Sequence, residues 1–237
     1  VTRFGFEPER HPPYLTMALG SGTVTPWQMA RAYAVFANGG YLVQPYFIHK
    51  IVDDRGNLLG EARPQRAGDE SLRVIDTRNA FIMDSLMQDV ARVGTGARAA
   101  SLGRKDVAGK TGTTNEFIDA WFAGYNPALV GVAWVGFDQP KSLGRNQTGG
   151  LVALPIWTQF FGRALGDVPD REFPAPAGIT FVRVDPATGK GAISADDDDD
   201  EGQRFDPPHH DAEERHQQCD PDEAGDEGHH HGALPFL

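Results

Sequence analysis

The feature of this sequence that most constrains its fold is residues 106–127, which read DVAGKTGTTNEFIDAWFAGYNP. Lys110, Thr111 and Gly112 lie at the centre, with β-branched, aromatic and small residues on both sides. The polar segment 114–118 interrupts this pattern, which predicts two short strands joined by a loop. A lysine with neighbouring hydroxyl groups on a strand can offer positive charge, O–H groups and backbone N–H groups to an anionic substrate.

A phosphate-binding loop is the first alternative for this lysine. That motif requires G-x-x-x-x-G-K-[ST] leading into a helix. Gly109, Lys110 and Thr111 would then require glycine at position 104, which is Arg104. The residues after the motif do not begin an amphipathic helix either. The sequence therefore argues against a phosphate-binding loop.

The wider pattern around the lysine resembles a known family. The segments GKTGTTN, DAWFAGYNP, VGVAWVGFD and TGGLVALPIW are similar to the transpeptidase domain of class A (bifunctional) penicillin-binding proteins, in which K-T-G is the third motif. The resemblance extends from about residue 3 to residue 193. It implies an α/β (α+β) fold related to the serine β-lactamases, with an antiparallel sheet flanked by helices and incomplete at its N-terminus.

The resemblance also implies a function for the parent protein. Members of the family cross-link peptidoglycan by acyl transfer from D-Ala-D-Ala stem peptides, and β-lactams acylate them. They need no cofactor and work at the periplasmic face of the inner membrane, anchored by an N-terminal helix. Carried over by motif, Lys110 and Thr113 are the expected catalytic residues. Thr111, Gly112 and Thr113 are the expected substrate-binding residues, and the Thr113 N–H is expected to form half of the oxyanion hole.

Two motifs of the family are missing from this chain. No lysine has a serine three residues before it, so there is no S-x-x-K, and no serine has an asparagine two residues after it, so there is no S-x-N. In the family both motifs precede the part seen here. We therefore expect this chain to be the C-terminal portion of the domain, to partner the missing N-terminal part, and to be inactive alone.

Two other functional classes remain open at this point. A serine β-lactamase-related hydrolase would share K-T-G with the transpeptidases. A non-catalytic assembly module could instead act through the acidic C-terminal tail. The strand segments and the TGG…LPIW segment favour the transpeptidases.

Composition divides the chain in two. The formal charge of the 237 residues is −11, but residues 196–237 contain 15 acidic residues and 2 arginines, which leaves 18 acidic and 20 basic residues elsewhere. A near-neutral body and an acidic tail do not suit nucleic-acid binding. We predict a domain at 1–193 and a disordered tail at 194–237, which has too few apolar residues to form a core. The longest mostly apolar run, 128–137, is too short to span a bilayer as a helix.

The tail contains most of the histidines and the single cysteine of the chain: His209, His210, His216, Cys219 and His229–His231. Their spacing fits no closed four-ligand zinc pattern. We therefore predict no metal site.

The first two predicted helices are defined by their caps. Thr25 and Pro26 suit the N-cap and first position of a helix, and Gln28 completes a capping box. Ala30, Tyr33, Ala34 and Ala37 should face the core of that helix. A second helix, capped by Asp76 or Thr77, would carry Phe81, Ile82, Leu86 and Val90 on one side.

Aromatic residues mark the remaining core positions. Trp121, Phe122, Trp134 and Phe137 are expected to pack between the sheet and its helices. A third helix is predicted at 154–165, with Trp157, Phe160 and Phe161 as core residues. Asp119, beside these aromatics, is interpreted as a hydrogen-bond acceptor rather than a general base.

Overall fold

The computed structural model describes residues 1–184, 188–189 and 191–192. Residues 1–177 form one compact unit, and a second unit begins at Gly178. The predicted domain boundary at residue 193 and the predicted tail lie outside the described residues. No helix in the described part of the chain combines the length and the apolar character needed to cross a membrane.

Three α-helices and seven strands are present in the described residues. The helices are α1 (Pro26–Ala37), α2 (Thr77–Arg92) and α3 (Gly149–Ala164). The strands of the first unit are β1 (Lys50–Val52), β2 (Leu58–Glu61), β3 (Ala108–Thr113), β4 (Ala120–Asn126) and β5 (Leu129–Val135). The second unit contains β6 (Arg183–Val184) and β7 (Gly191–Ala192). Short 3-10 helices span Thr2–Phe4, Pro8–Arg10, Leu15–Leu19, Glu70–Leu72, Ala97–Leu102 and Asn115–Phe117.

The central sheet is antiparallel, with strand order β3-β4-β5. β3 and β4 are the two strands predicted on either side of the polar segment, and in their register Lys110 faces Ala123 and Gly112 faces Trp121. Strands β1 and β2 form a separate hairpin. Helix α3 packs on one face of the central sheet, where Phe122, Trp157 and Phe161 are fully buried. The predicted fold class, an antiparallel sheet flanked by helices, is confirmed.

Helix α1 begins where its cap residues predict. The Thr25 side chain accepts a hydrogen bond from the Gln28 N–H at 3.2 Å, and the Gln28 side chain accepts one from the Thr25 N–H at 2.9 Å. The predicted inner face is only partly right, because Ala32 and Val35 are the buried residues. Tyr33 and Ala37 pack at the rim of a second core cluster around Tyr125.

Helix α2 also begins as predicted, with the Asp76 side chain capping the Arg78 N–H. The predicted apolar side was only partly right: Phe81 packs against the core cluster around Tyr125, and Val90 is half-buried. Ile82 and Leu86 are 51% and 55% exposed, and the buried face consists of Ala80, Asp84, Met87 and Ala91. Small alanines allow the helix to lie close beside β3, and Asp84 is tolerated on the buried face because Tyr125 donates a hydrogen bond to it.

The aromatic predictions hold near the centre of the sheet and fail at its margin. Trp121 and Phe122 of the central strand β4 are buried, as predicted, whereas Trp134 and Phe137 are 39% and 43% exposed. β5 is an edge strand of the described sheet, so Trp134 is covered on fewer sides, and Phe137 lies beyond the end of that strand. Phe160 of α3 likewise faces outward, while Trp157 and Phe161 are buried.

A buried ion pair fixes the chain just before β3. Arg104 donates to both carboxylate oxygens of Asp106, at 2.9 and 2.8 Å, and also pairs with Asp170. Burial alone would raise the pKa of Asp106, but hydrogen bonds from Arg104, the Arg171 backbone and Asn126 lower it. The network fastens the segment around residue 170 to the start of β3.

Candidate active site

The K-T-G residues lie on β3, which is an edge strand among the described strands. Alternate residues of a strand face opposite sides of the sheet. Lys110 and Gly112 therefore face the side of α1, and Thr111 and Thr113 face the side of α3. The motif thus lies where a ligand can approach a strand from its unpaired edge.

The backbone direction at this edge follows from the pairing of β3 with β4. The Thr114 N–H donates to the Asp119 carbonyl at 3.1 Å. In an antiparallel pair, the backbone groups of every second residue point to the same neighbour. Gly112 and Lys110 therefore bond to β4, and the N–H and C=O of Thr111 and Thr113 point to the unpaired edge. The Thr111 carbonyl accepts from the Lys110 ammonium group, which agrees with this direction.

The Lys110 side chain bends around this edge. Its Nζ donates to the Thr111 carbonyl at 3.1 Å and to the Thr111 Oγ1 at 3.3 Å. The side chain is half-buried, and burial lowers the pKa of its ammonium group. None of the described carboxylates forms an ion pair with it. A partly desolvated cation is therefore available to an anion.

The two threonine hydroxyls already have protein partners. The Thr111 Oγ1 lies 2.7 Å from the Thr95 Oγ1. The Thr113 Oγ1 accepts from the Gly149 N–H at 2.9 Å, at the first residue of α3. Because the Gly149 N–H occupies a lone pair of Thr113, the hydroxyl hydrogen of Thr113 remains available for donation.

The glycines of the T-G-G segment explain how α3 can begin so close to β3. A Cβ on Gly149 would lie 2.3 Å from the Trp121 carbonyl oxygen and 2.4 Å from that of Gly112. A Cβ on Gly150 would lie 3.0 Å from the Thr95 carbonyl oxygen. Only glycine permits this approach of helix and strand.

A cavity of about 200 Å³ lies between α1 and the strands β3 and β4. Its lining residues are Met29, Tyr33, Lys110, Thr111, Gly112, Trp121 and Ala123. Burial raises the pKa of Tyr33 to about 12, so its phenol is neutral at physiological pH. The cavity is mainly apolar, and the lysine is its one cationic lining residue.

The loop from β3 to β4 is held by side-chain hydrogen bonds. The Trp134 Nε1 donates to the Asp119 Oδ1 at 2.8 Å, and the Asp119 N–H donates to the Thr114 Oγ1 at 2.7 Å. The sequence-based interpretation of Asp119 as a structural acceptor is thus confirmed. Glu116 and Phe117 have positive φ angles of 57° and 55°, and the Ser142 hydroxyl donates to the Glu116 carbonyl at 2.6 Å.

The structure brings together Lys110, Thr111, Gly112 and Thr113 and adds Thr95 and Gly149, which the sequence analysis did not select. Thr95 follows α2 within a Gly-Thr-Gly sequence that is also typical of an ordinary helix stop. A threonine between two glycines was the only available signal. The candidate metal ligands of the tail lie outside the described residues.

Comparison with known proteins gives a consistent picture. Residues 11–161 match the penicillin-binding protein transpeptidase domain. Penicillin-binding protein 1A of Neisseria flavescens is 49% identical over 179 residues, which is 76% of this chain and 22% of the relative. Penicillin-binding protein 1A of Pseudomonas aeruginosa is 42% identical, covering 81% of this chain and 29% of the relative. The chain thus spans between 22% and 29% of the length of these curated relatives.

Solved structures agree with the sequence matches. Penicillin-binding protein 1A from Haemophilus influenzae superimposes with a TM-score of 0.75 at 35% identity, covering 82% of this chain and 34% of that one. The penicillin-binding protein PonA1 from Mycobacterium tuberculosis gives a TM-score of 0.61 at 26% identity, covering 84% of this chain and 49% of that one.

Proposed function

Because this chain belongs to the penicillin-binding protein transpeptidase family, we propose that the complete protein is a serine-type peptidoglycan D,D-transpeptidase and that β3 forms one wall of its substrate cleft. The observation that supports this most directly is the unpaired edge of β3. There, the Lys110 ammonium group, the Thr113 N–H and the Thr113 hydroxyl hydrogen are all available to a ligand.

The proposed reaction is acyl transfer. A serine hydroxyl from the S-x-x-K motif, supplied by the rest of the protein, attacks the carbonyl carbon of the penultimate D-Ala, and the terminal D-Ala leaves with a proton on its amine. The amine of a second stem peptide then attacks the ester, releases the serine and forms the cross-link. A β-lactam follows the first step, with its ring nitrogen as the leaving group that stays attached.

Each residue of β3 has a proposed role in that reaction. Lys110 supplies positive charge across the cleft to the S-x-N serine. Thr111 and Thr113 hydroxyls bind the substrate carboxylate, and the Thr113 N–H supplies one oxyanion-hole donor. Gly112, without a Cβ, leaves the strand surface open to close approach. We place the reaction at the periplasmic face of the inner membrane, with the stem peptide and β-lactams as ligands.

The test is acylation of the complete protein by a fluorescent penicillin. Replacing Lys110 by Ala should reduce the second-order rate constant of acylation by about 100-fold or more, since an electrostatic contributor at the reacting centre is lost. Lys50→Ala, which removes an exposed lysine from β1, should change it less than about twofold. Absence of acylation in the unaltered protein would exclude the proposed function, and normal acylation of Lys110→Ala would exclude the role of β3.

A further inference from the structure

We propose that Thr95, in the turn after α2, is a substrate-binding residue of this site and donates its hydroxyl hydrogen to the carboxylate of the peptide or β-lactam. This inference rests on the proposed function and adds a residue to it. The observation that supports it is a continuous chain of hydrogen bonds from Lys110 through the Thr111 hydroxyl to the Thr95 hydroxyl.

The direction of the hydrogen bonds in this chain follows from the chemistry of its members. A lysine ammonium group can only donate, so the Thr111 Oγ1 accepts from Lys110 at 3.3 Å. Thr111 is 7% exposed, and a buried hydroxyl hydrogen requires an acceptor. The Thr95 Oγ1 at 2.7 Å is that acceptor. The hydrogen of Thr95 is then the one left to donate outward, so the contact with the carboxylate proposed above for the Thr111 hydroxyl is made through Thr95.

The exposure of the two threonines agrees with this order. Thr111 is enclosed, whereas Thr95 is exposed to solvent. A ligand that approaches this edge therefore meets the Thr95 hydroxyl in front of the Thr111 hydroxyl. The positive charge of Lys110 polarises both hydroxyls in turn, and this strengthens the outermost donor toward an anion.

The turn that carries Thr95 is tightly fixed. The Gly96 N–H donates to the Val90 carbonyl at 3.1 Å, and the Ala97 N–H donates to the Gly94 carbonyl at 3.0 Å. A Cβ on Gly94 would lie 2.8 Å from the Val90 Cα. The carbonyl of Thr95 faces Gly150 at the start of α3, where a Cβ on Gly150 would lie 3.0 Å from the carbonyl oxygen and would require a small shift. Thr95 is therefore placed by two helices and is preorganised for binding.

The decisive experiment compares Thr95→Val with Thr95→Ser in the complete protein, using the kinetics of acylation by a fluorescent penicillin. Valine keeps the shape and removes the hydroxyl, and serine keeps the hydroxyl. We expect Thr95→Val to weaken the pre-acylation affinity about tenfold, the loss of one hydrogen bond to a charged group, with little change in the limiting acylation rate. Thr95→Ser should stay within about threefold of the unaltered protein.

A double-mutant cycle with Thr111→Val tests the chain itself. If Thr95 and Thr111 act through the same chain of hydrogen bonds, their effects on affinity are coupled. The fold-loss of pre-acylation affinity in the double variant should then be much smaller than the product of the fold-losses in the two single variants. Multiplicative losses, or a Thr95→Val protein with unchanged affinity, would overturn the inference while leaving the proposed function intact. Thr95→Val should lower the thermal unfolding midpoint modestly, because it leaves the buried Thr111 hydroxyl without its acceptor, whereas Thr95→Ser, which keeps that acceptor, should not. A midpoint that serine lowers as much as valine would assign Thr95 a structural role and overturn the inference.

Discussion

At the scale of single residues, Asp84 shows how the core can hold a titratable group. Asp84 is 3% exposed, and its carboxyl accepts a hydrogen bond from the Tyr125 hydroxyl. Burial raises the pKa of Asp84 from 3.8 to about 7, although the hydrogen bond from Tyr125 lowers it in part. The folded protein therefore binds this proton more tightly than the unfolded chain does.

This difference makes stability depend on pH. Between pH 3.8 and about 7 the folded state holds more protons at Asp84, so this contribution to the free energy of unfolding is greatest at low pH and falls as pH rises to about 7. Asp84→Asn keeps an acceptor for Tyr125 and cannot ionise. We expect its free energy of unfolding, measured with urea, to fall less than that of the parent between pH 5 and pH 8, by at most about 3 kcal/mol.

Asp89→Asn is the matched control for this prediction, because Asp89 lies on the same helix and its side chain is 56% exposed. Parent and Asp84→Asn proteins with equal pH dependence would show that Asp84 is not the titrating group.

Residue identities at the site were only partly predictable. Lys110 and Thr113 could be selected because a motif of fixed spacing carries them. Thr95 could not, because its proposed role depends on a contact with Thr111 across 16 positions. Asp84 was missed for a related reason: helical spacing identifies apolar faces, and a carboxyl on the buried face is visible only once its phenol partner is located.

At the scale of elements, the start of α3 determines the geometry of β3. The Gly149 N–H holds the Thr113 hydroxyl, and glycine is the residue that can approach the carbonyls of Gly112 and Trp121 so closely. The start of this helix was predicted at residue 154, five positions after its actual start at Gly149. Pro155 lies inside the helix, whereas proline usually marks a first turn, and paired glycines usually mark a turn.

Gly149→Ala should therefore lower both the free energy of unfolding and the rate of acylation. The new methyl group would meet two backbone oxygens, so α3 must shift away from β3, at a cost of roughly 2–3 kcal/mol. The same shift should lengthen the Gly149–Thr113 hydrogen bond and slow acylation by penicillin in the complete protein. Chemical denaturation and acylation kinetics measure the two effects.

Gly162→Ala, in the same helix, is the control. Its Cβ would meet only the end of the Leu102 side chain, at 3.3 Å. Because alanine favours helix over glycine by about 1 kcal/mol, this variant should be at least as stable as the parent. Equal behaviour of the two variants would show that the start of α3 is not tightly packed against β3.

At the scale of the whole molecule, the chain lacks two motifs that the proposed reaction requires. It contains neither S-x-x-K nor S-x-N, and large apolar side chains such as Leu15 and Phe47 are 97% and 84% exposed. Fold class was predictable because strand patterning and the K-T-G context are local. The exposure of the outer faces of helices and strands was not predictable, because it depends on how distant elements pack against each face.

We predict that these 237 residues alone form no covalent adduct with a fluorescent penicillin, because the expected nucleophile and its base are missing. Gel fluorescence measures this, with the complete protein as positive control and circular dichroism to verify that the isolated chain is folded. A stoichiometric adduct on the folded chain would refute the prediction and require a nucleophile within it.

The direction of the backbone along the outer margin of β3 has a consequence for inhibitors of the proposed site. Exchanging a side chain at position 111 or 113 can reshape the surface of the proposed cleft wall, but it leaves the main-chain N–H in place unless the new residue is proline. Compounds that bind the proposed site chiefly through hydrogen bonds to these peptide groups would therefore be weakened by few single-residue substitutions.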